Sequence, residues 1–181
     1  MDELALKAEA FRREKDAFYL VGEASPLNEE EKAGFTGLKY FPYDEKYRVM
    51  VRFFPYEKPE QVWMDTSKGL KQAFNRVGYF EFEIEGRKLR LQTYKATHGL
   101  HTEDYFVPFK DATCGVESYE KGRCLDVKES ARVQGDEFLL DFNYAYNPYC
   151  AYTDRHMCPF PLPENVLYVA IRAGEMRYRE G

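Results

Sequence analysis

The sequence predicts a mainly β protein, a single antiparallel β-barrel or sandwich-like domain with an N-terminal helical arm. Short segments in which apolar and polar residues alternate recur after residue 35, and turn residues separate them. Tyr and Phe dominate an aromatic fraction of 17%, and both residue types favour strands. No internal repeat or low-complexity linker divides the 181 residues. We therefore expect one folding unit, with a helical arm at 1–34 and a β-rich domain at 35–181.

The arm is expected to begin with a helix that stops at Gly22. Its apolar residues recur at helical spacing and predict the face that packs on the protein; they are Leu4, Ala8, Phe11 and Phe18. The charged residues between them are expected to face solvent; they are Glu9, Arg12, Arg13 and Lys15. A short second helix is predicted from Asn28, which has a typical N-cap side chain, to Gly34.

A β-hairpin over Tyr79–Tyr94, with a two-residue turn at Glu85-Gly86, is the clearest local prediction. Its register pairs Phe82 with Leu89 and Phe80 with Leu91 on the core face, and Glu83 with Lys88 and Glu81 with Arg90 on the outer face. Further strands are predicted at Tyr47–Phe54, Gln61–Asp65, Tyr105–Phe109, Arg123–Lys128, Glu137–Tyr144 and Val166–Arg172. Lys68–Asn75 is the one later segment where a helix is considered.

Charge and hydropathy exclude several classes of partner. A net charge of −5 argues against nucleic acid and against anionic membranes, which both require a basic face. No apolar run approaches the roughly 20 residues of a membrane span. The charged N-terminus does not resemble a signal peptide. We therefore expect a cytoplasmic protein, in which structural disulfides are uncommon.

A first group of candidate ligand-binding residues lies on the segment from 111 to 126. Asp111 and Thr113 can form a turn, and a carboxylate, a phenol and a guanidinium follow at Glu117, Tyr119 and Arg123. Arg123 could bind a ligand anion through two hydrogen bonds. The alternative is that Arg123 forms an ion pair with Glu117 or Asp141 that only joins two strands.

The second group follows on the predicted strand after residue 137 and on the turn beyond it; it comprises Asp141, Asn143, Tyr144, Asn147 and Tyr149. Asp and Asn are disfavoured in the middle of a strand, so their presence suggests a specific role. They could line a cleft covered by the helical arm or by the Asn147–Glu164 loop. Equally, they could cap turns on an exposed face.

The cysteines and histidines give weaker signals. Cys150, His156 and Cys158 do not have the paired short spacing of zinc ligands, so no metal and no cofactor is expected. Packing is the favoured role of the thiols, although a nucleophilic thiol or a Cys150–Cys158 bridge is sterically conceivable. His98 and His101 are expected in an ordinary solvated loop with Glu103 and Asp104.

Several long motifs occur in order along almost the whole chain. They are FTGLKYFPYD at 35–44, FKDATCGVESY at 109–119, GRCLD at 122–126, DFNYAYNPYCAY at 141–152, and CP at 158–159 followed by PEN at 163–165 and AGE at 173–175. The set resembles the domain of unknown function 1684 family of mostly bacterial proteins. The resemblance implies a single β-rich domain without a settled activity or cofactor. Cys114, Cys124 and His156 depart from the pattern expected of that family.

These observations predict a protein that binds a small polar or anionic organic ligand in a polar-aromatic pocket. Arg123 would hold the ligand anion, Asp141 and Asn143 would orient it, and tyrosines would stack on it. One alternative is a hydrolase in which Asp111, Glu117 or Asp141 is the general base and Arg123 stabilises negative charge. A second alternative is a structural or interaction module. The oligomeric state stays open.

Overall fold

A computed structural model describes residues 2–179 and confirms the mainly β class. Its two α-helices are α1 (Glu3–Val21) and α2 (Glu29–Ala33). Its seven described strands are β1 (Arg48–Asp65), β2 (Lys71–Ile84), β3 (Arg87–Ala96), β4 (Tyr105–Phe109), β5 (Arg123–Val127), β6 (Arg132–Gln134) and β7 (Glu137–Asp141). They form one antiparallel sheet in the order β5-β4-β3-β2-β1-β7-β6. Because the two outermost strands, β5 and β6, do not pair with each other, the sheet is not closed, and a barrel or sandwich describes it only loosely.

The two predicted parts of the chain, 1–34 and 35–181, include residues 1, 180 and 181, which lie outside the described residues. Both predicted helices are present within the first part. Asn28 caps α2 as expected, because its side chain accepts from the Glu31 backbone while the Glu31 carboxylate accepts from the Asn28 backbone. Among residues 2–179, the criteria for a helix that could cross a membrane are met nowhere.

The predicted hairpin register is confirmed pair by pair. Phe82 faces Leu89, Phe80 faces Leu91, and the outer pairs Glu83–Lys88 and Glu81–Arg90 follow. Glu85 and Gly86 both have positive φ, at 51° and 76°, as a two-residue turn with the twist of the strands requires. Local turn chemistry and alternation therefore determine this part of the sheet.

Two predictions for the first strands are wrong. Residues 47–54 and 61–65 were expected as separate strands, but β1 runs through both and absorbs the register shift as an irregularity between Pro55 and Glu60. Lys68–Asn75 is not helical: β2 begins at Lys71, which pairs with Asp65. Strand pairing with β1 overrides the weak helical preference of this segment.

The other strand corrections concern the C-terminal half. β7 ends at Asp141 rather than Tyr144, because the Asp141 side chain accepts from the Asn143 backbone at 2.9 Å and caps a 3₁₀ turn over Phe142–Tyr144. Val166–Arg172 is irregular rather than a strand. A parallel bridge between Lys110, which follows β4, and Val166 connects this segment to the end of the sheet. Later in the segment, the Ile171 carbonyl oxygen accepts a buried hydrogen bond from Arg123.

The main core lies on one face of the sheet and is largely aromatic. Phe53, Phe80 and Phe138 are buried and contact one another, with ring centroids 5.4–5.8 Å apart. Phe82 and Phe109 both pack against Phe142. Ring pairs of this kind add to the free energy gained by burying apolar area.

The inward face of α1 differs from the prediction. Ala8 is buried as expected, but Phe11 and Phe18 are 40% and 37% exposed, whereas Arg12 is only 7% exposed. The Lys15 side chain is 17% exposed and also faces the body. These two cations face inward because the surface that α1 covers carries phenol rings and the buried carboxylate of Glu175. The Arg12 guanidinium lies 4.5 Å from the Tyr40 ring centroid, and Lys15 pairs with Glu175.

Candidate functional site

The Arg123 guanidinium lies in the solid interior and not beside a pocket. Its side chain is fully buried and pairs with Asp111, with Nη2 3.3 Å from Oδ1. It also donates to the carbonyl oxygens of Ile171, Ala173 and Glu175. These partners surround the guanidinium with protein atoms and fix the C-terminal segment to β5. Arg123 is therefore not exposed to a ligand anion in this structure, and its ion-pair partner is Asp111 rather than Glu117 or Asp141.

Asp111 and Thr113 complete this buried network. Asp111 Oδ2 accepts from the Ile171 backbone at 2.6 Å, and the Thr113 hydroxyl donates to the same carboxylate at 2.9 Å. Ser118 Oγ lies 2.7 Å from Thr113 Oγ1. The Asp111, Thr113 and Ser118 side chains are all hydrogen-bonded within the protein, so the network stabilises the fold. Within the described residues, the buried Nε of Arg123 has no hydrogen-bond partner.

Glu117 and Tyr119 take separate roles on the surface side of this segment. The Glu117 carboxylate accepts both bonds from Arg172 Nε, at 3.0 and 3.1 Å, in a pair that is partly exposed. The Tyr119 hydroxyl lies 3.5 Å from Cys150 Sγ. The predicted cluster of carboxylate, phenol and guanidinium on one hairpin therefore does not form.

Asp141 and Asn143 join two segments of chain rather than line a shared hollow with Arg123. Asn143 exchanges two hydrogen bonds of 3.0 Å with the Asp44 backbone, and Asp141 Oδ2 is 3.8 Å from Arg48 Nε. Tyr144 packs edge-on against Phe11 of α1, with centroids 5.0 Å apart. The turn-capping alternative for Asp141 and Asn143 is the one that fits these contacts.

Asn147 belongs to a buried network that attaches α1 to the body. The Glu175 carboxylate, in a residue 1% exposed, accepts from the Asn147 backbone and from the Tyr152 hydroxyl, and it pairs with Lys15 Nζ at 2.6 Å. The Asn147 side chain donates to the Met176 carbonyl at 2.9 Å. Asn147 thus holds the C-terminal segment in place.

A cleft of about 700 Å³ lies between α1, the 99–104 loop, the edge of the sheet at β5, and the segment 148–159. Of the ten predicted site residues, Tyr149 lines it. Its aromatic walls are Phe18, Tyr19, Phe106, Tyr146 and Tyr149. This volume is within the roughly 300–1,000 Å³ typical of small-molecule sites.

The polar corner of the cleft is formed by His101, Asp126 and Tyr146. Asp126 Oδ1 is 3.0 Å from His101 Nδ1, and Asp126 Oδ2 accepts from the Tyr146 hydroxyl at 2.6 Å. The His101 ring also stacks on Phe106, with centroids 4.0 Å apart. Burial raises the pKa of Tyr146 well above its ordinary value, so the phenol stays protonated and donates to the carboxylate.

Sheet geometry explains how these three residues meet. Asp126 on β5 is the register partner of Phe106 on β4, so the ring that stacks on Phe106 also reaches Asp126. Tyr146 is attached to the same edge by two backbone hydrogen bonds with Cys124, of 2.8 and 3.0 Å. The His101 backbone has φ of 66° and accepts from the Ala96 backbone at 2.8 Å, which returns the loop to the sheet.

The cleft carries excess negative charge. Its lining contains one lysine, Lys15, and three carboxylates, those of Glu103, Asp104 and Asp126. Since Lys15 is already neutralised by Glu175, the three carboxylates determine the charge that a ligand meets.

Cys158, which lines the cleft, has a second thiol, Cys150, beside it. The Cys150 backbone N–H donates to Cys158 Sγ at 3.3 Å, and Cys158 lines the cleft with His156. The hydrogen bond from the Cys158 thiol lowers the pKa of Cys150 to about 7 and raises that of Cys158. Among residues 2–179, no three His, Cys, Asp or Glu side chains come together in a way that could hold a metal ion.

Sequence reasoning missed the polar corner because its parts were assigned elsewhere. His101 was expected in a solvated loop, and Tyr146 lies beyond the strand predicted at Glu137–Tyr144, which in fact ends at Asp141. One signal was available within β5: alternation groups Arg123 with the core residues Leu125 and Val127, and turns Asp126 to the other side.

Fold and cleft together define a single-sheet, mainly antiparallel β protein with an N-terminal helix that forms one wall of an aromatic cleft. Residues 33–176 match the family described as "Protein of unknown function (DUF1684)", and the chain belongs to that family. The solution NMR structure of an uncharacterised protein from Haloarcula marismortui is similar, with 36% sequence identity and a TM-score of 0.73. The match covers 96% of this chain and 94% of that one. No curated protein matches the chain.

Proposed function

We propose that this protein binds a small neutral or positively charged organic molecule in the cleft between α1, the 99–104 loop and β5. The observation that carries the proposal is the combination of aromatic walls with one polar corner, His101–Asp126–Tyr146, in a space of about 700 Å³. Largely apolar walls with a few fixed polar groups are what small-molecule sites provide. The ligand body would stack on the rings, and its polar group would contact the corner.

The charge of the cleft supports a ligand that is not an anion. Asp126, Glu103 and Asp104 are not balanced by a free cation in the lining. The anionic ligand expected from the sequence depended on Arg123, which is fully buried and occupied by protein. Ring faces also favour cations placed over them, by roughly 0.5–2 kcal/mol. A primary or substituted amine, or a neutral alcohol, therefore fits better than a carboxylate.

Three probes that share a benzene ring test this proposal: benzylamine, benzyl alcohol and benzoate. Titrations followed by ¹H–¹⁵N NMR give a dissociation constant for each and identify the amides that shift. We expect benzylamine to bind about tenfold more tightly than benzoate, since one screened charge contact contributes roughly 1–2 kcal/mol. Benzoate binding as tightly as benzylamine, or shifts confined to amides outside the cleft, would contradict the proposal.

Asp126→Asn removes the charge at the polar corner and keeps a side chain of similar size. We expect the variant to lose the preference for benzylamine while its affinity for benzyl alcohol stays within about twofold. Asp65→Asn is the matched control, because Asp65 is also a strand carboxylate with a side-chain partner, Lys71, but its own side chain is 76% exposed. The control should bind all three probes as the unmodified protein does.

Acid–base catalysis in the same cleft is a second candidate, supported by the contact between His101 Nδ1 and Asp126. A carboxylate that accepts from Nδ1–H leaves Nε2 free to act as a base. The hydrolase alternative would then use His101 rather than a carboxylate with Arg123. A panel of nitrophenyl esters and phosphates, compared between His101→Asn and His98→Asn, tests it. Asn tolerates the positive φ of residue 101, so loss of turnover in that variant alone supports the candidate.

The expected setting of this function is the cytoplasm, with a small molecule and neither nucleic acid nor membrane as the partner. The four cysteines are free thiols, as is typical of proteins in a reducing compartment. The net charge of −5 disfavours polyanionic partners. Fluorescence microscopy of a tagged chain tests the compartment: a diffuse cytoplasmic signal is expected, and a membrane-bound signal would contradict it.

A further inference from the structure

Cys150 and Cys158 are held beside each other by separate parts of the chain. Cys150 lies on the 3₁₀ turn Tyr149–Ala151, and its sulfur is 3.5 Å from the Tyr119 hydroxyl. Cys158 is fixed to the turn after β1: its backbone N–H donates to Ser67 Oγ, and the Ser67 backbone N–H donates to the Cys158 carbonyl, both at 3.0 Å. The hydrogen bond from Cys150 N to Cys158 Sγ, 3.3 Å long, joins these two parts of the chain.

The two thiols differ in the way that a reactive pair requires. Cys150 is partly exposed, and the hydrogen bond from Cys158 lowers its pKa to about 7, with the Tyr119 hydroxyl also contributing. Cys158 is 7% exposed, and its pKa is raised, first by the hydrogen bond to Cys150 and then by burial. Redox-sensitive cysteines combine an accessible, acidic thiol with a second thiol nearby.

We infer that Cys150 and Cys158 form a reversible thiol–disulfide pair, in which Cys150 reacts first with a low-molecular-weight disulfide and Cys158 resolves the product. This modification site does not depend on the proposed ligand. It also differs from the packing role expected from the sequence.

With oxidised glutathione the reaction balances in two steps. The Cys150 thiolate attacks one glutathione sulfur, the glutathione S–S bond breaks, and one glutathione thiolate leaves. Cys158 then releases its proton to solvent and attacks the sulfur of Cys150, which forms the protein disulfide and expels the second glutathione thiolate. The protein loses two electrons, and these reduce the glutathione disulfide to two thiols.

The first step also activates the second. The largest cause that raises the pKa of Cys158 is its hydrogen bond to Cys150. Once Cys150 is bound to glutathione, that thiolate no longer exists and Cys158 ionises more readily. The order of reaction therefore follows from the mutual influence of two adjacent thiols, Cys150 and Cys158.

Mass spectrometry of the unmodified chain tests the inference. The protein is equilibrated in glutathione buffers of increasing oxidised fraction, free thiols are alkylated, and peptides are mapped. We expect Cys150 and Cys158 to become protected together as one linked peptide, while Cys114 and the buried Cys124 stay alkylatable after unfolding. Continued alkylation of both Cys150 and Cys158 in fully oxidised glutathione would overturn the inference.

The variant Cys158→Ser separates the two steps. Without the resolving thiol, we expect a stable glutathione adduct on Cys150, at least tenfold more abundant than on Cys150 of the unmodified protein. Cys114→Ser is the matched control and should still form the linked peptide. An adduct that accumulates equally with and without Cys158, or that favours Cys114, would contradict the pair. The experiment on the unmodified chain remains decisive if either variant folds poorly.

Discussion

Replacing Asp111 with Asn should destabilise the fold strongly, because Asp111 neutralises a guanidinium that has no access to water. Both side chains of the Asp111–Arg123 pair are fully buried. One carboxylate oxygen faces Arg123 Nη2 and the other accepts from the Ile171 backbone. An amide has only one acceptor oxygen, so in either orientation its NH₂ group opposes one of these donors.

The expected loss follows from this burial. Removing one partner of a buried ion pair costs about 3–5 kcal/mol. For a domain of this size each kcal/mol lowers Tm by roughly 2–4 °C, so Asp111→Asn should lower Tm by about 10 °C. Glu117→Gln is the control: its pair with Arg172 has similar distances but exposed fractions of 34% and 57%. Such pairs contribute less than about 1 kcal/mol.

Urea unfolding followed by circular dichroism measures both free energies of unfolding. A loss for Asp111→Asn below about 1 kcal/mol, or one equal to that of Glu117→Gln, would refute the structural role assigned to Arg123. It would also return Arg123 to the set of candidate ligand-binding residues.

Three further predictions concern the helix, the hairpin and the thiols. Glu175→Gln should lower the free energy of unfolding in urea by about 3–5 kcal/mol, because Glu175 is buried and pairs with Lys15 of α1. Glu81→Gln is the control: the Glu81–Arg90 pair is exposed, so its loss should cost less than about 1 kcal/mol. Glu85→Asn should raise the free energy of unfolding in urea by about 0.5–1 kcal/mol, since Asn tolerates the φ of 51° better than Glu does; a lower free energy of unfolding would contradict this interpretation. The alkylation rate of Cys150 should rise with a midpoint near pH 7 rather than near 9, because the lowered pKa keeps the thiolate populated at neutral pH; at pH 7 it should exceed that of an unperturbed thiol about fivefold, and a midpoint near 9 would contradict the contact with Cys158.

The sheet was predictable where local chemistry determines it. The turn at Glu85-Gly86 and the alternation on either side specify the hairpin register without reference to the rest of the chain. Helix α2 is similarly determined by the capping box of Asn28 and Glu31. These elements need no information about which distant segment packs on them.

The inward face of α1 could not be predicted, because it depends on what the helix covers. Lys15 is directed inward by Glu175, 160 residues further along the chain. The C-terminal segment is similar, since Arg123 supplies the donors that replace a strand partner for residues 171–175. Long-range polar contacts determine both the inward face of α1 and the conformation of the C-terminal segment. The spacing of apolar residues along the sequence does not reveal such contacts.

The candidate site shows the same division. Its tyrosine-rich segment and Tyr149 were identified from the sequence, whereas His101 and Asp126 were not, because stacking on Phe106 and pairing across β5 join residues 25 positions apart. Conversely, Arg123 was selected for its charge, although strand alternation already grouped it with core residues.

A crystal structure of the protein soaked with benzylamine is the most direct test of the central claim, that the cleft beside α1 is the ligand site. We expect the ring against the aromatic wall that includes Tyr146 and the ammonium group within hydrogen-bond distance of the Asp126 carboxylate. An empty cleft with benzylamine bound elsewhere on the surface, or density beside Arg123, would contradict it.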